Sequence, residues 1–348
     1  ERPEVGGVGL FGVLAKPATV SGVRLEDAQV TGLHGVGALV GANFGVVRDS
    51  SGSVRVTGKN ATGALVGGHA GKVINCEASG EVTGNDAIGG LVGDMRGFVA
   101  RSHASTRVTG HNGVGALVGL NTFSTLESSY ATGSASGNNN VGGLAGINTN
   151  AVVEESYSTA TVESTGTNAG GLVAFNSESR IRNSYARGDV RGVNSVGGLV
   201  GTNNGRIRAS YATGEVEGKA KVGGLVGDNA GGTVSASYWD MKRSGRVFGA
   251  GSDDKNDNNK IDPGEVSQLA AYGKTTQALR ALTGATTGWV PDGSTSEAAE
   301  TFYCDENADG AVGPEEQRPD NLVWVFGTGA ENPGLACIEG GARKQPLR

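Results

Sequence analysis

Aromatic side chains make up only 5% of this 348-residue chain. That disfavours a large conventional globular core, in which rings supply much of the buried area. Only three cysteines are present, Cys76, Cys304 and Cys337, so at most one disulfide forms. Cys304–Cys337 is the pairing expected, although spacing alone does not fix connectivity. No apolar run approaches the roughly 20 residues a membrane-spanning helix needs, so no span is expected. Helical periodicity is missing too. The histidines His34, His69, His103 and His111 show no metal-ligand spacing. Positive charge is not in excess: 29 Lys/Arg against 35 Asp/Glu give a net charge of −6. That balance argues against non-specific nucleic-acid binding. The chain begins at Glu1 rather than Met, so loss of a leader is expected, although no signal peptide is visible.

What the chain has in abundance is glycine, 62 residues of it, in fixed columns rather than a collagen period. Val196-Gly197-Gly198-Leu199-Val200-Gly201-Thr202-Asn203 is followed by Val222-Gly223-Gly224-Leu225-Val226-Gly227-Asp228-Asn229. With Leu as the marker, copies stand at Leu10, Leu39, Leu65, Leu91, Leu117, Leu144, Leu172, Leu199 and Leu225. Their spacings are 29, 26, 26, 26, 27, 28, 27 and 26 residues. A near-constant period of this size marks a repeat architecture.

Each repeat carries three short segments. The first is the Gly-Leu-Val-Gly strand. The second runs from an aliphatic residue to Ser-Tyr, as in Ile181 to Tyr185, Ile207 to Tyr211 and Val234 to Tyr238. The third ends on an aliphatic residue before Gly: Val56, Val82, Val108, Val190 and Val216. Short β-rich segments between Gly and Asn turns read as strands. A unit of this length is too short for a strand-helix-strand crossover, so like strands must stack in parallel. The expected fold is all-β: a parallel β-solenoid of about nine coils, on the order of 40 Å long, with an irregular calcium-binding C-terminal cap. Residues 1–32 form the entry coil, 33–238 the regular repeats and 239–348 the capping module.

Two columns invite a closer reading. Asn43, Asn121, Asn148, Asn176, Asn203 and Asn229 recur after the Leu motif. Asn tolerates a left-handed turn, and its amide can bond its copy in the next coil. Tyr130, Tyr157, Tyr185, Tyr211 and Tyr238 form the other column, with Cys76 and His103 expected in the same slot earlier. A packed ring ladder is the favoured reading; an outward ladder that stacks on sugar rings is the alternative. Arg101 and Glu155, two positions before the ring, suggest a corner there.

Gly-Gly-Leu-Val-Gly, then Asn, then Ser210-Tyr211-Ala212-Thr213-Gly214, resembles the GLUG repeat of bacterial surface proteins over about residues 33–240. Ser237-Tyr238-Trp239-Asp240, Gly273-Lys274-Thr275-Thr276 and Trp324-Val325-Phe326-Gly327-Thr328 are similar to that family's closing signature. The resemblance implies an extracellular or cell-surface address, as in adhesins and secreted peptidases, rather than a reaction.

The tail is acidic: residues 251–320 hold fourteen Asp/Glu and five Lys/Arg. Two twelve-residue windows there match the EF-hand calcium loop, which wants oxygens at positions 1, 3 and 5, a carbonyl at 7 and a Glu at 12. The first supplies Asp254, Asn256, Asn258, the Lys260 carbonyl, Asp262 and Glu265. The second supplies Asp305, Asn307, Asp309, the Ala311 carbonyl and Glu316. No entering helix precedes either, so loop-only Ca²⁺ sites of an extracellular kind are expected. The alternative is a pair of solvated acidic turns.

Other chemistry falls away. Gly7-Val8-Gly9-Leu10-Phe11-Gly12 matches a dinucleotide fingerprint but has no following helix, and Gln268 stands where a P-loop ending at Lys274 needs its first Gly. Charged residues scatter along the rod, and no carboxylate pair recurs as a glycosidase would need. The expectation is a non-enzymatic surface protein for adhesion or display, or a filament subunit. Its partner would be a host or bacterial surface glycan or protein, or another copy of itself. The alternatives are a glycan-binding or carbohydrate-active β-helix and a spacer within a secreted peptidase.

Overall fold

The computed structural model describes residues 6–260 and, beyond them, short strands at Gly273–Lys274, Trp289–Pro291, Ala299–Cys304, Leu322–Gly327 and Gly334–Leu335. Residues 6–240 wind into a three-faced parallel β-solenoid. Its first face is a sheet of nine parallel strands, one from each coil and in chain order. The coil beginning at Asn112 shows the plan. Asn112–Gly115 lies on the first face, Val118–Thr122 and Thr125–Glu127 on the second, and Tyr130–Ala131 and Ser134–Gly137 on the third. The next coil repeats each position in register: Val114 opposite Val141, Val118 opposite Ala145, Leu126 opposite Val153, Tyr130 opposite Tyr157.

Gly-Leu-Val-Gly is not one strand, as the pattern suggests, but a corner. The first-face strand ends at Gly197 and the second-face strand begins at Val200. Leu199 sits between them at the vertex and points into the core. Glycine is required beside it: a Cβ on Gly197 would stand 2.0 Å from the Val200 carbonyl oxygen. The leucines from Leu39 to Leu225 have no exposure at all. Leu10 departs from the column and is 61% exposed, because its coil ends the rod and no described coil stacks on its outer side. Val56, Val82, Val108, Val190 and Val216 line the interior, as do Ile181 and Ile207. Each such side chain contributes about 1.5–3 kcal/mol of burial, which offsets the ordering cost of a chain with few rings.

The turn from second to third face is a left-handed residue in every coil: Gly22 at φ 70° in the first, then Asp49, Asn75, Arg101, Ser128, Glu155, Asn183, Ala209 and Ala236, with φ between 44° and 55°. This is the corner that Arg101 and Glu155 signal. A serine column follows it. The Ser129 N–H donates to Ser156 Oγ (3.1 Å), Ser156 N–H to Ser184 Oγ (3.2 Å) and Ser184 N–H to Ser210 Oγ (3.3 Å). Each hydroxyl in turn donates to the carbonyl two residues back, at 2.7 Å for Ser129, Ser156 and Ser184. The polar corner is thereby satisfied inside the wall.

The varying period has a local origin. Where coils are 26 residues apart, the bend within the second face is Phe44-Gly45, Ala70-Gly71 or Arg96-Gly97. The next three coils insert one residue there and bring Phe123, Asn150 and Glu178 to φ 50°, and the coil after them returns to the shorter bend, Asn204-Gly205. The insertion leaves the stacked strands in register on both sides, from Ser177 opposite Asn204 to Arg180 opposite Arg206.

The C-terminal end is closed. Trp239 occupies the inward column of Ala212 and is fully buried. Its ring plugs the core, and its Nε1–H donates to the Arg246 carbonyl (3.1 Å). Asp240 caps the short helix Met241–Ser244, accepting from the Lys242 and Arg243 N–H groups (3.0 Å each), and Gly245 ends it at φ 67°. Phe248 is buried beneath the returning chain, and Ala250 bridges to Val226.

Candidate functional site

The ring column is a stacked ladder. His103 and Tyr130 have ring centroids 4.6 Å apart, followed by 4.8 Å to Tyr157, 4.7 Å to Tyr185 and 5.0 Å to Tyr211, with planes within 5° of parallel. The spacing is set by the strand separation of the sheet. Cys76 does not belong to this column. Glu77 is the partner of His103, and its carboxylate lies 3.4 Å from Nε2, whereas Cys76 stands in the serine column and donates its backbone N–H to Ser102 Oγ (3.1 Å). A uniform step of 26 residues back from His103 lands on Glu77. Tyr185 and Tyr211 are buried, and Tyr130 and Tyr157 half-buried. Burial pushes the phenols of Tyr130, Tyr157 and Tyr211 up. The ladder is therefore packed structure, with faces occupied by neighbouring rings rather than offered to sugars.

The asparagine column is likewise internal. Asn121, Asn148, Asn176 and Asn203 are fully buried, and each amide nitrogen donates to the next amide oxygen at 2.6, 2.7, 2.8 and 2.9 Å, ending on Asn229. The expected amide-to-amide bonding is present. The left-handed turn is not, because these residues lie within or at the end of second-face strands, where φ is extended. Amide polarity inside the wall is tolerable because the chain of bonds from Asn121 to Asn229 is unbroken.

The first acidic loop closes the rod. Asp254 is buried, and its two carboxylate oxygens accept the N–H of Asn258 (3.1 Å) and of Asn259 (2.7 Å). The Asn256 and Asn258 amide oxygens accept the N–H groups of Asn258 (3.2 Å) and Lys260 (2.7 Å). Asp257 and Asn259 both adopt φ 57°. The backbone is thus wound around the side chains of positions 1, 3 and 5. The sixth position, Asn259, ties the loop to the cap: its Oδ1 accepts the Val247 N–H (3.0 Å) and its Nδ2 donates to the Gly245 carbonyl (2.9 Å). Asp257 adds an anchor to the last first-face corner by accepting the Lys221 N–H (2.7 Å). Those two anchors carried no signal in the sequence beyond their left-handed residue types.

Asp254, Asn256, Asn258 and Lys260 are accordingly brought to one turn. Asp262 and Glu265 lie outside the described residues, as do Asp305, Asn307, Asp309, Ala311 and Glu316 of the second loop and Cys337 of the expected disulfide. Among the described residues no group of three or more His, Cys, Asp or Glu side chains is gathered to hold a metal. The described half of the first loop offers one carboxylate and two amide oxygens. A hard, oxygen-seeking cation fits that donor set.

Against known proteins, the GLUG motif matches residues 137–163, 165–191 and 192–217. These are coils of the rod that carry the tyrosine and asparagine ladders. No curated protein and no solved structure matches the chain. In the tail, Tyr238–Asp240 pairs in parallel with Gly273–Lys274. Leu322–Gly327 belongs to a four-stranded antiparallel sheet. No helix among the described residues is long and apolar enough to cross a membrane.

Proposed function

We propose that this chain is a non-enzymatic, calcium-stabilised rod of a bacterial cell surface, serving adhesion or structural display, singly or as a filament subunit. The observation that carries the reading is the cap loop. Asp254, Asn256 and Asn258 are pre-wound on one turn and tied through Asn259 and Asp257 to the end of the solenoid. Calcium held by these residues, the Lys260 carbonyl, Asp262 and Glu265 would neutralise the buried carboxylate and lock the end coil. Such an ion is abundant outside cells and scarce within, so the rod would stiffen after export. The GLUG matches support a repeat protein of extracellular type.

Two measurements test the reading. Labelling of intact against lysed producing cells with an antibody to the rod should stain both equally. Melting in calcium against EGTA should show a clear fall of the melting temperature with chelator. Staining of lysed cells alone, or melting indifferent to chelator, contradicts the proposal. A second reading, glycan binding along the rod's flank, is favoured by the groove described next.

A further inference from the structure

The inserted residues at the second-face bend do more than lengthen the period. They open a trough of about 760 Å³ that runs along the rod over successive coils. Its floor is the buried corner residues Ala151, Ser179 and Gly205. One wall carries the exposed left-handed residues Phe123, Asn150 and Glu178, continued by Asn204. The other wall carries Arg180 and Arg206. Phe123 is 72% exposed at φ 50°, a conformation unfavourable for a bulky side chain.

The arginines are the sharper anomaly. Several exposed arginines are paired with a carboxylate of the adjacent coil: Arg55 with Glu81, Arg182 with Glu154, Arg191 with Glu217. Arg180 instead stands directly opposite Arg206 in the ladder. Like charges opposite one another in a ladder are destabilising. Among the described residues the Arg180 and Arg206 guanidinium groups have no hydrogen bond or ion pair. Two planar donor forks one strand spacing apart, about 4.8 Å, are left facing a groove with an aromatic ring at its end and amide and carboxylate acceptors opposite.

We infer that this trough binds an acidic polysaccharide laid along the rod axis. Arg180 and Arg206 hold anionic groups of successive sugars, which a guanidinium receives in bidentate fashion. Asn150, Glu178 and Asn204 bond the sugar hydroxyls, and Phe123 stacks on a ring at one end. The anionic group is a uronate carboxylate or a sulfate ester; both present planar or trigonal oxygens to the fork. The assignment rests on the surface-rod reading for its setting and names the partner that the rod meets there.

The test is titration calorimetry of the whole chain with polygalacturonate, dextran sulfate, neutral dextran and an oligodeoxythymidylate. Saturable, salt-sensitive binding to either anionic polysaccharide, with none to dextran and weaker binding to the oligonucleotide, is expected; which of the two binds decides between carboxylate and sulfate. The double variant Arg180→Gln/Arg206→Gln should weaken binding by about tenfold or more, and Phe123→Ala by several-fold. Arg55→Gln, on another face, should leave it unchanged. Melting curves confirm that each variant is folded, and Arg180→Lys/Arg206→Lys should recover part of the affinity. Absence of saturable binding to both anionic polymers, equal binding of dextran, tighter binding of the oligonucleotide, or indifference to the arginine variants overturns the assignment. Such a failure leaves the surface-rod reading in place, since cell labelling and chelator melting decide that separately.

Discussion

The Asn43 amide nitrogen stands 3.0 Å from His69 Nδ1, inside the wall of the rod. His69 occupies the asparagine column, and its other nitrogen, Nε2–H, donates to the Phe98 carbonyl at 3.2 Å. The ring is therefore held neutral, with one nitrogen accepting and the other donating. Met95, the next in the column, offers no such partner, so the amide ladder breaks there and resumes at Asn121.

Burial holds the His69 pKa down to about 4, against 6.5 for a free imidazole. Between those values the unfolded chain binds one more proton than the folded chain. The stability contributed by neutral His69 is complete above pH 6.5 and is withdrawn as the pH falls toward 4. Its size is at most about 3 kcal/mol. His69→Asn removes this titration and keeps an amide in the column. Urea denaturation at pH 7 and pH 4.5 should show a smaller loss of stability on acidification for His69→Asn than for the wild type. Equal losses would contradict the buried neutral ring.

Thr62 lies in the core column between Val36 and Ile88, fully buried, and its Oγ1 has no hydrogen-bond partner. A buried hydroxyl without a partner costs about 1–3 kcal/mol. Thr62→Val keeps the shape and restores the column. Its denaturation midpoint should rise by an amount equivalent to about 1 kcal/mol or more; an unchanged or lower midpoint would mean that the hydroxyl is satisfied.

Trp239 and Gly224 are matched to each other. A Cβ on Gly224 would stand 2.1 Å from Trp239 Cδ1. Trp239→Ala should destabilise the rod by about 3–5 kcal/mol, because it opens the end of the core. Gly224→Ala should also destabilise it, through collision with the indole. Combined, the two should cost less than the sum of their separate effects, since the methyl then enters the vacated space. Strict additivity in equilibrium denaturation would show that they are not in contact.

The cap loop gives a fourth expectation. Asn259 joins loop and cap through two hydrogen bonds and holds φ 57°. Asn259→Ala loses both bonds and places a residue with a Cβ in a strained conformation. A loss of about 2–3 kcal/mol is expected, each bond contributing about 1 and the backbone the remainder. Asn259→Gly should recover the backbone part. A Gly variant as unstable as the Ala variant would place the whole effect in the side-chain bonds.

Much of this architecture was legible in the residues. The leucine period fixes the number of coils, and stacking of identical units requires parallel strands in register. Packing of the Tyr130–Tyr211 ladder, like the amide bonds of Asn121 to Asn229, follows from like standing on like. Other features depend on where the backbone bends, which side-chain type does not reveal. Leu199 marks a vertex rather than a strand because bulk at a corner and bulk in a strand look the same. Cys76 was assigned one column off because a small polar slot and a ring slot are adjacent. The trough was hidden because it arises from single inserted residues, visible only as a step from 26 to 27 in the spacing; the further residue of the one 28-residue step lies between Ser164 and Ala169, away from the trough. In the tail the spacing of Asp254, Asn256 and Asn258 announced a wound loop, whereas its attachment through Asp257 and Asn259 depends on the fold of the cap.

Amide hydrogen exchange along the rod, with and without EGTA, tests the account most directly. In a solenoid each coil rests on its neighbours, so loosening the cap must spread from that end. If calcium holds the cap as proposed, EGTA should lower protection most in the last coil, around Val226–Asp240, less around Val173–Arg191, and least near Leu39. Protection that is unchanged by EGTA at every amide, or lost equally in all coils, would contradict a rod of registered columns locked at one end by calcium.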